Sequence, residues 1–152
     1  MLARELVRPF PTVTLDSDAL EAARTLAEHR LPGLIVLDDD GLPHTVLPGS
    51  QVLRFVVPTY VQDDPALARA YDEKSADALC DKLVGQTVRD MLPKKNDRVK
   101  LPVAAPDATA IELCAQMAGL RSPIIAVVDD GELLGAVTIS VLLAQLLAGT
   151  AR

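Results

Sequence analysis

Few side chains in this sequence carry reactive chemistry, and their spacing joins none of them into a working set. His29 and His44 have no partner at a spacing that marks a nucleophile with its base, a carboxylate pair or a metal cluster. His29 falls where a helix ends, which suits a positive group against the helix dipole; His44 falls in or beside a hairpin, where exposure is expected. Cys80 and Cys114 sit in no CxxC or His-rich pattern, so neither a disulfide framework nor a metal site is expected, and both read as reduced, buried thiols. The acidic run Asp38-Asp39-Asp40-Gly41 lacks the spread ligands of a calcium loop and reads as a turn. The basic cluster Lys94, Lys95, Arg98 and Lys100 has Asp97 inside it and reads as a solvated loop, or as a local attraction for a ligand phosphate. No catalytic residue is expected, and the chain is not read as an enzyme.

Composition narrows the classes further. The 152 residues are 49% apolar, enough for a real core, yet only 3% are aromatic and none is Trp. The core is therefore aliphatic, and few rings are left on which a base could stack. Fifteen Lys and Arg against 21 Asp and Glu give a net charge of −6, which repels a phosphate backbone, so no nucleic-acid partner is expected. The first eight residues interleave charge with apolar side chains, unlike a signal peptide. No apolar run approaches the roughly 20 residues needed to cross a bilayer. The expectation is a cytoplasmic protein with no direct membrane insertion.

The elements that position these residues are written twice. At an offset of 91, Pro11 meets Pro102, Asp16 meets Asp107, Ala19 meets Ala110, Arg30 meets Arg121, Pro32 meets Pro123 and Val36 meets Val127. After Asp40, one extra residue in the first copy, the offset becomes 90: Gly41 meets Gly131, Ser50 meets Ser140 and Leu53 meets Leu143. A repeat this ordered points to duplication. In each copy an acidic or Ser/Thr cap opens a helix, predicted over 18–30 and 109–121. Next comes a short apolar strand, Leu34-Ile35-Val36-Leu37 or Ile124-Ile125-Ala126-Val127-Val128. A turn with glycine at the φ > 0 position and a second strand complete a hairpin. Ser50 and Ser140 are expected to cap closing helices over 51–57 and 141–148, with Leu53 and Leu143 buried in equivalent places. A short arm precedes each copy, Ala3-Arg4-Glu5-Leu6 corresponding to Val88-Arg89-Asp90-Met91 at an offset of 85.

The predicted fold class is therefore α/β (α+β), two βαββα repeats with pseudo-two-fold symmetry. Residues 1–57 form the first, 58–86 a helical insert with helices near 64–71 and 75–84, and 87–152 the second. The last helix carries Val141, Leu142, Leu143, Leu146 and Leu147 nearly all round, more apolar surface than one face can bury. A homodimer is expected.

The order of an EA-type first helix, an apolar strand ending in Asp, a D-G turn, a G-x-V-T strand and an L-L helix resembles the cystathionine-β-synthase (CBS) domain. Two in tandem resemble a stand-alone Bateman module. The second copy carries the fuller pattern, Ser122-Pro123-Ile124-Ile125-Ala126-Val127-Val128-Asp129-Asp130-Gly131 followed by Gly135-Ala136-Val137-Thr138. The first is looser, with Pro32-Gly33-Leu34-Ile35-Val36-Leu37-Asp38 and then Thr45-Val46-Leu47-Pro48. The resemblance covers nearly all of the chain outside the insert.

What it implies is a regulatory subunit of another protein, an enzyme or a membrane transporter, with no required cofactor. The family holds an adenosine ligand such as AMP or ATP between its repeats. Its G-h-x-T/S-x-x-D motif brings a hydroxyl to phosphate and a carboxylate to ribose. Here the carboxylate position falls on Gln51 and Val141, and the hydroxyl survives as Thr138 but not at Pro48. The resemblance thus places a ligand site at the second copy, lined by Val103, Ser122, Ile124, Thr138 and Val141, with a weaker one at Thr12, Leu34 and Gln51. Lys94, Lys95, Arg98 or Lys100 would meet phosphate. The competing expectation is an interaction or dimerisation module that kept the fold and lost the nucleotide.

Overall fold

In the computed structural model, which describes residues 1–150, the elements follow the duplicated order. The first copy runs α1 (Ala3–Leu6), β1 (Thr12–Thr14), α2 (Ala19–Glu28), β2 (Gly33–Leu37), β3 (Pro43–Pro48) and α3 (Gly49–Val56). The insert holds α4 (Thr59–Asp63), a 3₁₀ turn at Pro65–Ala70, α5 (Glu73–Asp77) and a second 3₁₀ turn at Leu79–Leu83. The second copy runs α6 (Val88–Met91), β4 (Val103–Ala104), α7 (Ala110–Leu120), β5 (Ile124–Asp129), β6 (Glu132–Thr138) and α8 (Ile139–Ala148). Each copy builds one three-stranded sheet, in the orders β1-β2-β3 and β4-β5-β6. In the second sheet β4 lies parallel to β5, and β5 antiparallel to β6.

The repeat survives down to single hydrogen bonds. Asp18 and Thr109 cap α2 and α7 by accepting from the N–H groups of Glu21 and Glu112. Arg30 and Arg121 both turn left-handed after those helices, at φ 50° and 52°. Gly41 and Gly131 take φ 78° and 80° in the hairpin turns. The N–H of Gly49 donates to Pro32 O at 3.2 Å, and that of Ile139 to Pro123 O at 2.9 Å.

Two compact units emerge, and they do not follow chain order. One contains Met1–Thr12, Ile35–Val46 and the chain from Val99 on. In it the second sheet is buried on both faces: Ile125, Val127 and Val137 pack with Leu113, Met117 and Leu142, whereas Ile124, Ala126 and Ala136 pack with Ile35, Val46 and Leu101. Burial on both faces explains why this strand reads as an unbroken apolar run rather than an alternating one. The other unit contains Val13–Leu34 and Leu47–Arg98. There α2 lies against α3, α6 and the 79–83 turn, burying Ala19, Ala22, Leu26, Val52, Val56, Leu83, Val88 and Met91.

The units depart from chain order because each arm lies on the opposite copy. In the first unit the N–H groups of Ala3 and Arg4 donate to Ala108 O and Pro106 O at 2.8 and 2.9 Å, and that of Ala110 donates to Met1 O at 3.0 Å. In the second, Val88 and Arg89 donate to Ser17 O and Leu15 O, and Ala19 to Gln86 O, each at 2.9 Å. Shifting the arm by 85 and its acceptors by 91 carries the first set onto the second.

Several sequence expectations need correction. Val36 and Val127 are fully buried as expected, but Leu53 and Leu143 are 62% and 48% exposed. The buried positions are Val52 and Leu142, one residue earlier, so the helices are rotated by about 100° from the reading. The closing helices begin two residues sooner, at Gly49 and Ile139, so Ser50 and Ser140 lie inside the first turn, with Pro48 and Thr138 at the caps. The insert breaks into shorter pieces than the two helices expected over 64–71 and 75–84. Cys80 is exposed and Cys114 half-buried, and both are free thiols.

Candidate functional site

The residues expected to line a second-copy site lie in and beside the second sheet. Ile124 and Thr138 are direct cross-strand partners in β5 and β6, and Val103 of β4 pairs with Ala126, two residues further along β5. The register thus brings Val103, Ile124 and Thr138 to one end, where β6 passes directly into α8.

The polar groups there also serve the fold. Thr138 Oγ1 accepts from the N–H of Val141 at 3.3 Å, which makes the surviving motif hydroxyl the cap of α8. Ser122 is buried, and its hydroxyl donates to Ile124 O at 2.6 Å while accepting from Ile124 N–H at 3.4 Å. The side chain of Ile124 is wholly inside the core, whereas Val103 is 44% exposed. Val141 is half-buried against the α1, α7 and sheet residues of the core. The set offers apolar side chains and hydroxyls, and none of its members is a carboxylate to receive two ribose protons.

The first-copy residues do different things. Gln51 is half-buried, and its Nε2 donates to Met91 O at 2.8 Å, tying α3 to the last carbonyl of α6. Leu34 is fully buried. Thr12 is exposed and lines a cleft beside the hairpin turns. In the basic loop Lys94 and Lys95 are exposed, and Arg98 Nε donates to Pro93 O at 3.1 Å. Of the four cations only Lys100 belongs to the same unit as Thr138.

Asp38 Oδ1 accepts from the N–H groups of Asp40 and Leu42 at 2.9 and 3.0 Å, which is turn chemistry. His29 is the C-cap of α2. Among the described residues no group of three or more His, Cys, Asp or Glu could hold a metal, and no helix is long and apolar enough to cross a membrane.

The sequence reading missed an apolar groove of about 360 Å³ between α7 and α8, lined by Cys114, Met117, Ala118, Arg121, Ile139, Leu142, Leu143 and Leu146. Of its lining residues Ile139, Leu143 and Leu146 are exposed, as are Ile111 and Leu120 on α7 and Leu147 on α8. The Leu-rich last helix was the available signal; that α7 supplies the other wall follows only from the fold.

Comparison with known proteins agrees with this architecture. The CBS domain family matches residues 3–46 and 88–148. A CBS domain-containing protein from Kribbella flavida is 53% identical, with a TM-score of 0.87 over 97% of this chain and 99% of its own. The CBS domain of a membrane protein from Sphaerobacter thermophilus is 25% identical, with a TM-score of 0.69 over 95% and 86%. CBSX2 from Arabidopsis thaliana, solved in complex with AMP, shares the fold at 18% identity, with a TM-score of 0.65 over 98% of both chains. No curated protein matches. With its two matched segments, paired sheets and crossed arms, the chain belongs to the CBS domain family as a tandem pair.

Proposed function

We propose that this CBS pair is a non-catalytic regulatory module that forms a homodimer through its second copy and acts on another protein, an enzyme or a transporter. The observation that carries this reading is the apolar face of α7 and α8, where Arg121 is the one charged residue lining the groove. Helix α8 has no charged residue and α7 only Glu112, whereas α2 in the equivalent place carries Glu21, Arg24 and Glu28. An exposed groove flanked by Leu143, Leu146 and Leu147 offers both a ridge and a recess, which suits a self-complementary two-fold contact. Light scattering at micromolar concentration should return twice the mass of one chain. A monomer mass would overturn the dimer.

The nucleotide reading is narrower. Support for an adenosine-type ligand comes from Thr138 at the start of α8 and from the AMP bound by CBSX2. We assign AMP or ATP to the second copy, with Val103 against the base and Thr138 and Lys100 toward phosphate. A lost charge-assisted hydrogen bond costs roughly 1.5–3 kcal/mol, about one to two decades in affinity. Binding on the order of tens of micromolar or weaker is expected if an intact site of this kind starts near micromolar. Calorimetry with AMP, ATP, S-adenosylmethionine and cyclic dinucleotides tests it. The burial of Ser122, whose hydroxyl both donates and accepts within the protein, favours the second reading, a pure interaction module, and a flat titration across that panel would count for it.

A further inference from the structure

The two hairpin turns, both in the first unit, border a cleft of about 600 Å³ at the far end of β6 from Thr138. Phe10, Leu37, Leu133 and Leu134 form its apolar walls, and the exposed Asp40 and Glu132 line it from separate turns. Leu134 is the residue left over by the bulge in the β5–β6 ladder, where Val127 pairs with Gly135 and Val128 with Leu133. Neither cleft carboxylate belongs to the ion pairs Arg24–Glu21 and Arg89–Asp16.

We propose that this cleft binds a small organic cation with a hydrocarbon body, the class of aliphatic diamines and polyamines. The cleft is wide and open, which suits an extended, flexible ligand lying along it. Leucine side chains take up methylene groups, and an aromatic ring attracts an ammonium. Carboxylates on two separate turns suit a ligand charged at more than one point, and the net charge of −6 favours approach of a cation. A compact inorganic cation would gain only the carboxylates and leave the walls unused.

Calorimetry on the full chain with putrescine and spermidine, against ammonium and magnesium at matched ionic strength, tests the idea. Affinity should rise with chain length and charge of the amine. The double variant Asp40→Asn, Glu132→Gln should weaken spermidine at least tenfold, and Leu134→Ser a few-fold, with unchanged melting temperatures. Asp77→Asn with Asp81→Asn, exposed carboxylates outside the cleft, should leave binding as it was. Equal losses from both pairs, or magnesium binding as well as spermidine, would reduce the effect to diffuse charge attraction and overturn the proposal; so would the absence of binding by any amine. Saturating AMP should not shift the amine isotherm, so this site and the nucleotide site fail or stand separately.

Discussion

A hydroxyl that caps a helix gives up one lone pair to the backbone and keeps its O–H to donate to a ligand. Replacing Thr138 with Ala removes the α8 cap, which costs about 1 kcal/mol, and should weaken AMP as well. Both effects are readable, one by thermal melting and one by calorimetry. Val141→Asp restores the family's carboxylate where Val141 packs half-buried on the core. It should lower the melting temperature yet tighten AMP by roughly one to two decades; unchanged affinity in a folded variant would remove the nucleotide site from this end of the sheet. Gly135 imposes a different constraint. A Cβ there would lie 2.2 Å from the carbonyl oxygen of Arg8, at a φ of 149°. The approach is needed because Arg8 and Ala136 exchange two backbone hydrogen bonds of 3.0 Å. Gly135→Ala should therefore destabilise by about 2 kcal/mol or more, measured by urea unfolding. The glycine was legible in the sequence as part of a G-x-V-T strand, but its partner Arg8 was not, because nothing local announces a contact with a segment so far away.

Among elements, the closing helices show best what the pattern can and cannot say. Leucines at matching places in α3 and α8 suggested matching burial, and both are exposed. Their surroundings differ: Leu143 borders the α7–α8 groove, whereas α3 carries Arg54 beside Leu53. Leu143→Glu should convert the dimer to a monomer while the fold persists by circular dichroism, and Leu53→Glu should leave the mass unchanged. The reverse result would move the interface to the first copy. The strands and hairpins were readable because apolar runs, Asp-Gly turns and prolines act locally. The helix rotation was not, since periodicity in α8, apolar nearly all round, marks no unique inward face. The insert reads as two helices, yet it holds short helices and 3₁₀ turns, with a hydrogen bond between the Tyr60 and Tyr71 hydroxyls. That bond, with a smaller contribution from burial, raises the Tyr71 phenol above its usual range. In an alkaline ultraviolet titration its ionisation should be late, and Tyr60→Phe should bring it back down.

At the scale of the whole molecule, duplication was plain in the sequence, but the exchange of arms was invisible. The two arms resemble each other, as do the two copies, so pairing an arm with its own copy or with the other satisfies the same local pattern. Only the fold decides: Val88 donates to Ser17 O, and Ala3 to Ala108 O. A single copy cut out of this chain would carry an arm with nowhere to dock and a docking surface with no arm. Its remedy would be to trade arms with a second molecule, an interlocked pair held only as tightly as concentration permits. Joining the two copies in one polypeptide turns that meeting of strangers into an encounter within one chain, at effective concentrations that reach millimolar for short linkers. The crossed arms thus give one polypeptide the connectivity of an arm-exchanged dimer whose two halves cannot drift apart.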